Sequence, residues 1–394
     1  MINLAIISHY KSVSEARLSL GKENVIVGPN GVGKSNIVDA LYFLRDAARE
    51  DLDYAVTKRH GIESVRQWSR TRPYNIGLEL QFSSKSGSGS YKVSISSAKG
   101  NFRVEEEYGD WTGKVELFGD DEVYSRNFSR ASEGRVKISS NFDRVNFPDE
   151  FPVSPSELFI SQISNKSASI ASIFFNDLAE EITSFAAYAI YPNTIRTPQS
   201  VSNEDMLSDS GSNLASIIKR MTSHSKRKNR ESLVESLRAV LPIIDNIEIR
   251  SAGGFYVPVF RVREPNGDLH DLNMSQISDG TLRMLGLLSA FYQPNAPLKI
   301  ALEEPEQMIH PGLLPVLVDA ARDYSSSSER DNQLFLTTHS PNLLDLFDAD
   351  NIIRAQFKDG VTVCGPVLER QKDLIRRSLF SAGEIMIAEG FFDQ

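Results

Sequence analysis

The chain has 394 residues, 40% of them hydrophobic and 24% charged, with a net charge of -9. That length allows a large core and more than one domain, while the acidic balance excludes nucleic-acid binding by overall charge and leaves only a local basic patch for it. Cys364 is the only cysteine, which rules out an intramolecular disulfide framework and a cysteine-cluster zinc site and suits a reducing cytoplasm.

The opening, "MINLAIISHYKSV", has no basic start followed by a long apolar stretch, so a secretory signal is not expected. No run approaches the roughly 18 apolar residues of a membrane helix, and the expectation is a soluble cytoplasmic protein. "LAIISHYKSVSEARLSL" alternates apolar and polar residues and predicts a hairpin. "NVIVG" is a short β-branched strand, and "SNIVDALYFLRDAAR" places Ile37, Leu41, Leu44 and Ala48 on one helical face. Residues 75 to 145 read as strand-rich, with turn signals at "SKSGSGS", "SAKGN" and "YGDWTG". From about Pro155 to Leu241 the pattern is helical, through "ASIFFNDLAEEITSFAAYA", "SNLASIIKRM" and "ESLVESLRAVLPII", with a proline-bounded break at "YPNTIRTPQS". Strands return in "IEIRSAGGFYVPVFRVREPNGDLHDLNM", with Asn266-Gly267 as a tight turn. The final third alternates helix and buried strand: "TLRMLGLLSAFY", "LKIALE", "PGLLPVLVDAARDY", "QLFLTTH". That alternation predicts an α/β fold with a mixed, mostly parallel sheet and an N-terminal antiparallel part. The expected division is a discontinuous head over residues 1–150 and 245–394, with a mainly helical insertion over 151–244.

Between the "NVIVG" strand and the helix lies "GPNGVGKS", Gly28 to Ser35. It has the spacing of a phosphate-binding loop in the strand-to-helix setting that such a loop needs. Gly28, Gly31 and Gly33, with Asn30 between them, let the backbone curl so that N–H groups face a phosphate at a helix N-terminus. Lys34 is expected to reach the β- and γ-phosphates of ATP, and the Ser35 hydroxyl to ligate Mg²⁺. The metal and the attacking water need acidic partners from a second strand end. "LKIALEEP" supplies them: Glu303 for Mg²⁺ and Glu304 to orient and polarise the water. Most P-loop proteins carry aspartate at the first of these positions, and glutamate is one methylene longer. "QISDGTLRMLGLL" starts a helix at Ser278, whose hydroxyl can cap it. "LFLTTHSP" is an apolar strand that ends at His339, a candidate to touch the γ-phosphate or the water.

P-loop, "ISDGT", acidic strand and histidine strand end, in this order, resemble the ABC-type ATPase heads of the SMC, RecF and OLD families. The resemblance covers most of the chain. "YPNTIRTPQ", "LSDSGSNLASII" and "EEPEQMIHP" are most similar to the short AAA-type ATPases found beside OLD-like proteins. The resemblance implies ATP and Mg²⁺ as cofactors, and a homodimer or higher even oligomer in which two heads sandwich two ATPs. Ser278 and Gly280 match the signature positions that contact ATP on the other subunit. Asp279 stands where glycine is commoner. "EQMIHP" occupies the D-loop position, with His310 in place of the usual aspartate, and Glu306 falls in that loop, outside the chemistry. Lys11 and Ser12 match a first-hairpin position that touches phosphate. Gln67 and Gln81 are both candidates for the Q-loop.

No sustained heptads lie between Ser35 and Ser278, so no SMC-type coiled-coil arm is expected. "EIMIAEGFFDQ" resembles a first TOPRIM strand, but the later acidic pair of that domain has no place after Glu389. The expectation is no intrinsic nuclease and a separate effector, such as a TOPRIM nuclease. Lys219, Arg220, Lys226, Arg227, Lys228 and Arg230 form a basic cluster that could meet nucleic-acid phosphates or simply be a solvated loop. The leading expectation is an ATP-hydrolysing sensor or motor subunit of a nucleic-acid-directed system, anti-phage defence included. The alternatives are a RecF-like DNA-repair clamp and an ATP-holding scaffold with little turnover.

Overall fold

The structure, a computed structural model, describes residues 1–70, 73–98, 100–114, 122–131, 134–141, 151–165, 170–223, 227–327 and 330–391. The chain divides into two compact units: Met1–Phe185 with Asp350–Lys372 and Phe391, and Ala186–Ala349 with Asp373–Gly390.

In the first unit, β1 (Ile2–Tyr10) and β2 (Val13–Ser19) form the expected antiparallel hairpin. The buried strand β3 (Glu23–Val27) leads through a glycine turn into α1 (Lys34–Arg49). Ile37, Leu41, Leu44 and Ala48 are all buried on α1, the face read from the sequence. Two short helices follow, α2 (Leu52–Thr57) and α3 (Ile62–Val65). An antiparallel meander then runs through β4 (Ile76–Ser83), β5 (Gly87–Ala98), β6 (Asn101–Gly113), β7 (Tyr124–Ala131), β8 (Arg135–Ser140) and β9 (Phe151–Pro152), with β4 also paired to β1.

"YGDWTG" is not a turn but the second half of β6. Its glycines are there for space: a Cβ at Gly109 would collide with the Phe128 ring, and one at Gly113 with the Ser86 carbonyl. Glu107, on the same buried face, accepts the N–H groups of Phe159 and Ile160 at 2.7 and 3.0 Å and the Tyr91 hydroxyl at 3.0 Å. It thereby ties the meander to the start of α4 (Phe159–Asn165), which precedes α5 (Ile170–Thr183).

β10 (Phe185–Tyr188) leads into the second unit. The sequence pattern carried the α5 helix through this stretch. A four-residue apolar run buried along its length has no period to tell strand from helix, and only its neighbours decide. The short α6 (Pro192–Arg196), β11 (Gln199–Ser200), α7 (Leu214–Arg220) and α8 (Arg227–Val240) follow. A small antiparallel sheet has β13 (Phe255–Arg263) as its middle strand, paired with β12 (Ile244–Ala252), with β11 and with β14 (Leu269–Asn273). Then come α9 (Asp279–Tyr292), β15 (Lys299–Glu303), α10 (Leu314–Ser325), β16 (Gln333–Thr338) and α11 (Pro341–Leu344). β15 and β16 pair in parallel, and α10 makes the crossover that a parallel pair requires.

The chain returns to the first unit with β17 (Ile352–Lys358), parallel to β3, and β18 (Val361–Pro366), antiparallel to β17 and parallel to β2 at Thr362. Helices α12 (Glu369–Arg376) and α13 (Ala382–Ala388) end the described chain. The TOPRIM-like stretch is thus helical over Glu384–Ala388. Ser381 and Glu384 close a capping box at its start, which commits the segment to helix. Helices with parallel and antiparallel strand pairs give the mixed α/β class expected from the sequence. Among the described residues no helix is long and apolar enough to cross a membrane.

Cys364 sits on β18 opposite Ala355, and burial pushes its thiol up to about 12. The thiolate is the reactive form. At pH 8 the folded protein is therefore expected to react with a thiol reagent at least about 100-fold more slowly than the denatured chain. A stopped-flow labelling trace with and without denaturant checks this.

Candidate functional site

In the first unit, the glycine turn of Gly28 to Ser35 curls directly into the first turn of α1. Gly31 and Gly33 have φ of 78° and 95°, a region open to glycine at little cost. A side chain at Gly33 would also meet the hydroxyls of Thr362 and Ser12. Lys34 is only 5% exposed. Its ammonium donates to the carbonyls of Gly28 and Pro29 at 2.9 and 3.0 Å. Ser35 and Asn30 are exposed on the loop and helix start.

The hairpin tip braces this loop. Ser12 Oγ accepts from Asn36 at 2.7 Å and lies 2.6 Å from Thr362 Oγ1. The Thr362 hydroxyl donates to the Val32 carbonyl at 2.7 Å. Lys11, at φ 49°, pairs with Asp39 on α1 at 2.6 Å. Burial works against the Asp39 charge, yet Arg59 and Lys11 hold its carboxyl below the usual range. Of the two Q-loop candidates, Gln67 lies at the hairpin tip. Its N–H donates to the His9 carbonyl at 2.9 Å, and its Oε1 is 2.8 Å from His9 Nδ1. Gln81 is exposed in mid-strand on β4, between Leu4 and Ser90.

The second unit gathers the acidic strand end, the histidine and the signature helix. Glu303 ends β15, half-buried, opposite Thr337. Glu304 follows with a left-handed backbone, φ 42°. That conformation is costly for a residue with a Cβ and is kept only where surroundings enforce it. Here its N–H donates to the Thr337 carbonyl at 2.9 Å, and its carbonyl accepts from Arg283 at 3.3 Å. Its carboxylate accepts from the Gln307 side-chain amide. His339 Nδ1 lies 3.4 Å from Glu304 and 3.9 Å from Glu306, without a hydrogen-bond partner among the described residues.

Glu306 lies in the loop expected from the sequence, but its side chain turns inward and is only 9% exposed. It accepts the Thr338 hydroxyl at 2.6 Å and the His339 N–H at 3.3 Å. His310 is exposed and accepts the Gly312 N–H at 3.1 Å. Ser278 caps α9 as expected, accepting the Thr281 N–H at 3.2 Å. Gly280 packs against the Met308 carbonyl, which a Cβ would crowd. Asp279 is held at 2.6 Å by Arg196 of α6, which also donates to the Ile277 carbonyl at 3.2 Å. The "YPNTIR" break in the helical pattern therefore serves as a brace for the signature turn.

Sequence reasoning missed Arg196, Arg283, Gln307 and the contacts of Glu306 with Thr338 and His339. Arg283 had a visible signal: a lone charge in the apolar helix "TLRMLGLL".

Taken one at a time, the Ser35 hydroxyl and the Glu303 carboxylate are hard oxygens of the type magnesium takes, one or two from protein beside phosphates and water. Among the described residues no group of three or more His, Cys, Asp and Glu could form a closed protein cage for a metal, which such a site does not need.

The basic cluster does not present one charged face. Arg220 bonds Asp205 at 2.9 Å and the Ser202 carbonyl at 3.1 Å, and Arg230 bonds Asn246 at 2.9 Å and the Ile247 carbonyl at 2.6 Å. Lys219 lies over the Tyr256 ring at 4.0 Å, and Arg227 pairs with Glu231 at 2.9 Å. Lys228 is exposed, and Lys226 lies outside the described residues.

A comparison with curated protein sequences gives no match. Among solved structures, the SMC head bound to the C-winged helix domain of ScpA superposes with a TM-score of 0.52 at 14% identity, over 94% of this chain and 99% of that one. An SMC head with an extended coiled coil, from Pyrococcus furiosus and bound to the C-terminal domain of ScpA, gives 0.50 at 12% identity, over 96% and 99%. These likenesses show the fold, an ABC-type head. A family model described as "AAA domain, putative AbiEii toxin, Type IV TA system" matches residues 24–345, from the phosphate-loop strand to beyond the histidine strand end. The chain belongs to that AAA-domain family and is an ATP hydrolase on an SMC-head-like fold.

Proposed function

We propose that the protein is a dimerising, ABC-type ATPase switch: the sensor or motor subunit of a nucleic-acid-directed defence system whose effector is a separate protein. The observation that carries this reading is the preformed phosphate loop, with Lys34 turned onto its own carbonyls. Exchanging those two carbonyls for phosphate oxygens is a small motion with a large electrostatic gain. Ser35 and Glu303 are the residues that would hold magnesium, which would neutralise phosphate charge. Glu304 orients the attacking water, and His339 hydrogen-bonds the γ-phosphate. Ser278 and Gly280 meet the ATP of a second copy, so hydrolysis waits for pairing. Gln67 is the Q-loop residue, favoured over Gln81 by its place at the hairpin tip. The family description, with its putative toxin of a Type IV TA system, is compatible with a defence role. For nucleic-acid contact, Lys228 and Arg227 are the exposed ones among the described residues of the basic cluster.

A second reading, a slow ATP-holding switch, is favoured by one contact. Gln307 donates to one oxygen of the Glu304 carboxylate, Oε2, and competes there with a water. Multiple-turnover hydrolysis by the pure protein separates the two readings. For the dimer, light scattering on Glu304→Gln protein should show the mass doubling when ATP and magnesium are added. An unchanged monomer mass at tens of micromolar protein counts against the paired-head reading.

A further inference from the structure

Arg283 is 1% exposed, five residues into the helix turn that Ser278 starts. Its guanidinium carbon lies over the Tyr191 ring, 4.8 Å from the centroid. One terminal nitrogen donates to the Glu304 carbonyl at 3.3 Å. The other, Nη1, and Nε have no hydrogen-bond partner among the described residues. Close by in charge terms, the buried Oε2 of Glu306 is also unpartnered. A buried guanidinium with two unmet N–H directions is expensive. An apolar side chain of similar volume in such a place is commonly neutral or stabilising. The arginine therefore needs a reason other than stability, and the residue it reaches supplies one: Glu304 carries the left-handed backbone at the end of β15.

We propose that Arg283 is a positioning residue, which fixes the Glu304 main chain from the signature helix and so couples the Ser278 turn to the orientation of the attacking water. The proposal rests on the reading of Glu304 as the residue that holds that water. Both ends are rigid: Ser278 caps the helix that carries Arg283, and Thr337 holds the other side of Glu304. A shift of the signature turn is thus transmitted to the Glu304 backbone through one side chain. Tyr191 packs against that guanidinium.

The test is Arg283→Met in the full chain, with kcat, KM and Tm measured together. The expected result is a kcat lower by about 10- to 100-fold, the size of a misplacement of about 1 Å at a catalytic group. KM should change less than about twofold and Tm should hold or rise. A kcat within about twofold of wild type overturns the proposal, and so does a loss of kcat that follows a fall in Tm. Should Arg283→Met not fold, Tyr191→Leu decides, since Tyr191 is 45% exposed and tolerates change. It should lower kcat about three- to tenfold at constant KM, because the guanidinium is aimed less well; an unchanged kcat overturns the proposal. Glu304→Gln run alongside separates the two failures. If it is inactive and Arg283→Met is normal, only the coupling is wrong. If it turns over normally, the reading of Glu304 itself is wrong. In the double variant the two effects should not add, because both act on one group.

Discussion

Glu304→Gln is expected to lower kcat by about 10²- to 10⁴-fold, the usual contribution of a positioned general base, while ATP binding stays within about threefold of wild type. The substitution changes one oxygen to an amide and leaves the shape alone. The bonds that fix this residue in place run through its main chain: the N–H to Thr337 and the carbonyl from Arg283. Neither depends on the carboxylate, so the fold and the left-handed φ should persist. Only the capacity to polarise a water is lost. His339, 3.4 Å away, serves the γ-phosphate in this reading and not the water. Phosphate release under multiple turnover gives kcat, and calorimetric titration gives affinity. A kcat within twofold of wild type would remove Glu304 from the chemistry and leave Glu306, the other carboxylate near His339, as the next candidate.

The parts of this site that could be read from sequence are those whose geometry is local. Gly28 to Ser35 carries its chemistry in eight consecutive residues, and the strand and helix around it are announced by their own periodicities. Glu303 and Glu304 are legible as the charged end of an apolar strand for the same reason. Glu306 is not, because its role depends on the chain doubling back after Pro305 to meet Thr338 and His339, more than thirty residues on. Composition also misleads where pairing is long-range. Arg220 and Arg230 look like surface charge in a row, yet they bond carbonyls of distant loops and strands. Gly109 and Gly113 look like a turn, yet they make room for neighbouring strands and a Phe128 ring. In each case the residue type was read correctly as permissive or charged; the partner that uses it lies far away in sequence.

Lys34→Met should abolish nucleotide binding and reveal what the lysine does without nucleotide. Methionine keeps the aliphatic stem and removes the ammonium. Truncating a buried, hydrogen-bonded charge typically costs about 2–5 kcal/mol of binding, which is on the order of 30- to several-thousand-fold in Kd. Heating curves read this directly. Wild type at 100-fold excess of ATP over Kd should gain about 2.7 kcal/mol of stability, while Lys34→Met should gain less than about 1 kcal/mol at the same concentration. Glu304→Gln should gain as much as wild type, because it binds without turning over. The two variants thus part binding from chemistry in a single assay. Without nucleotide, Lys34→Met should also be less stable than wild type by about 1–2 kcal/mol, since the Gly28 and Pro29 carbonyls lose their donor. If the nucleotide-free variant is instead as stable as wild type, the lysine does not hold the empty loop in shape. If ATP still stabilises it fully, the loop of Gly28 to Ser35 is not where the nucleotide binds.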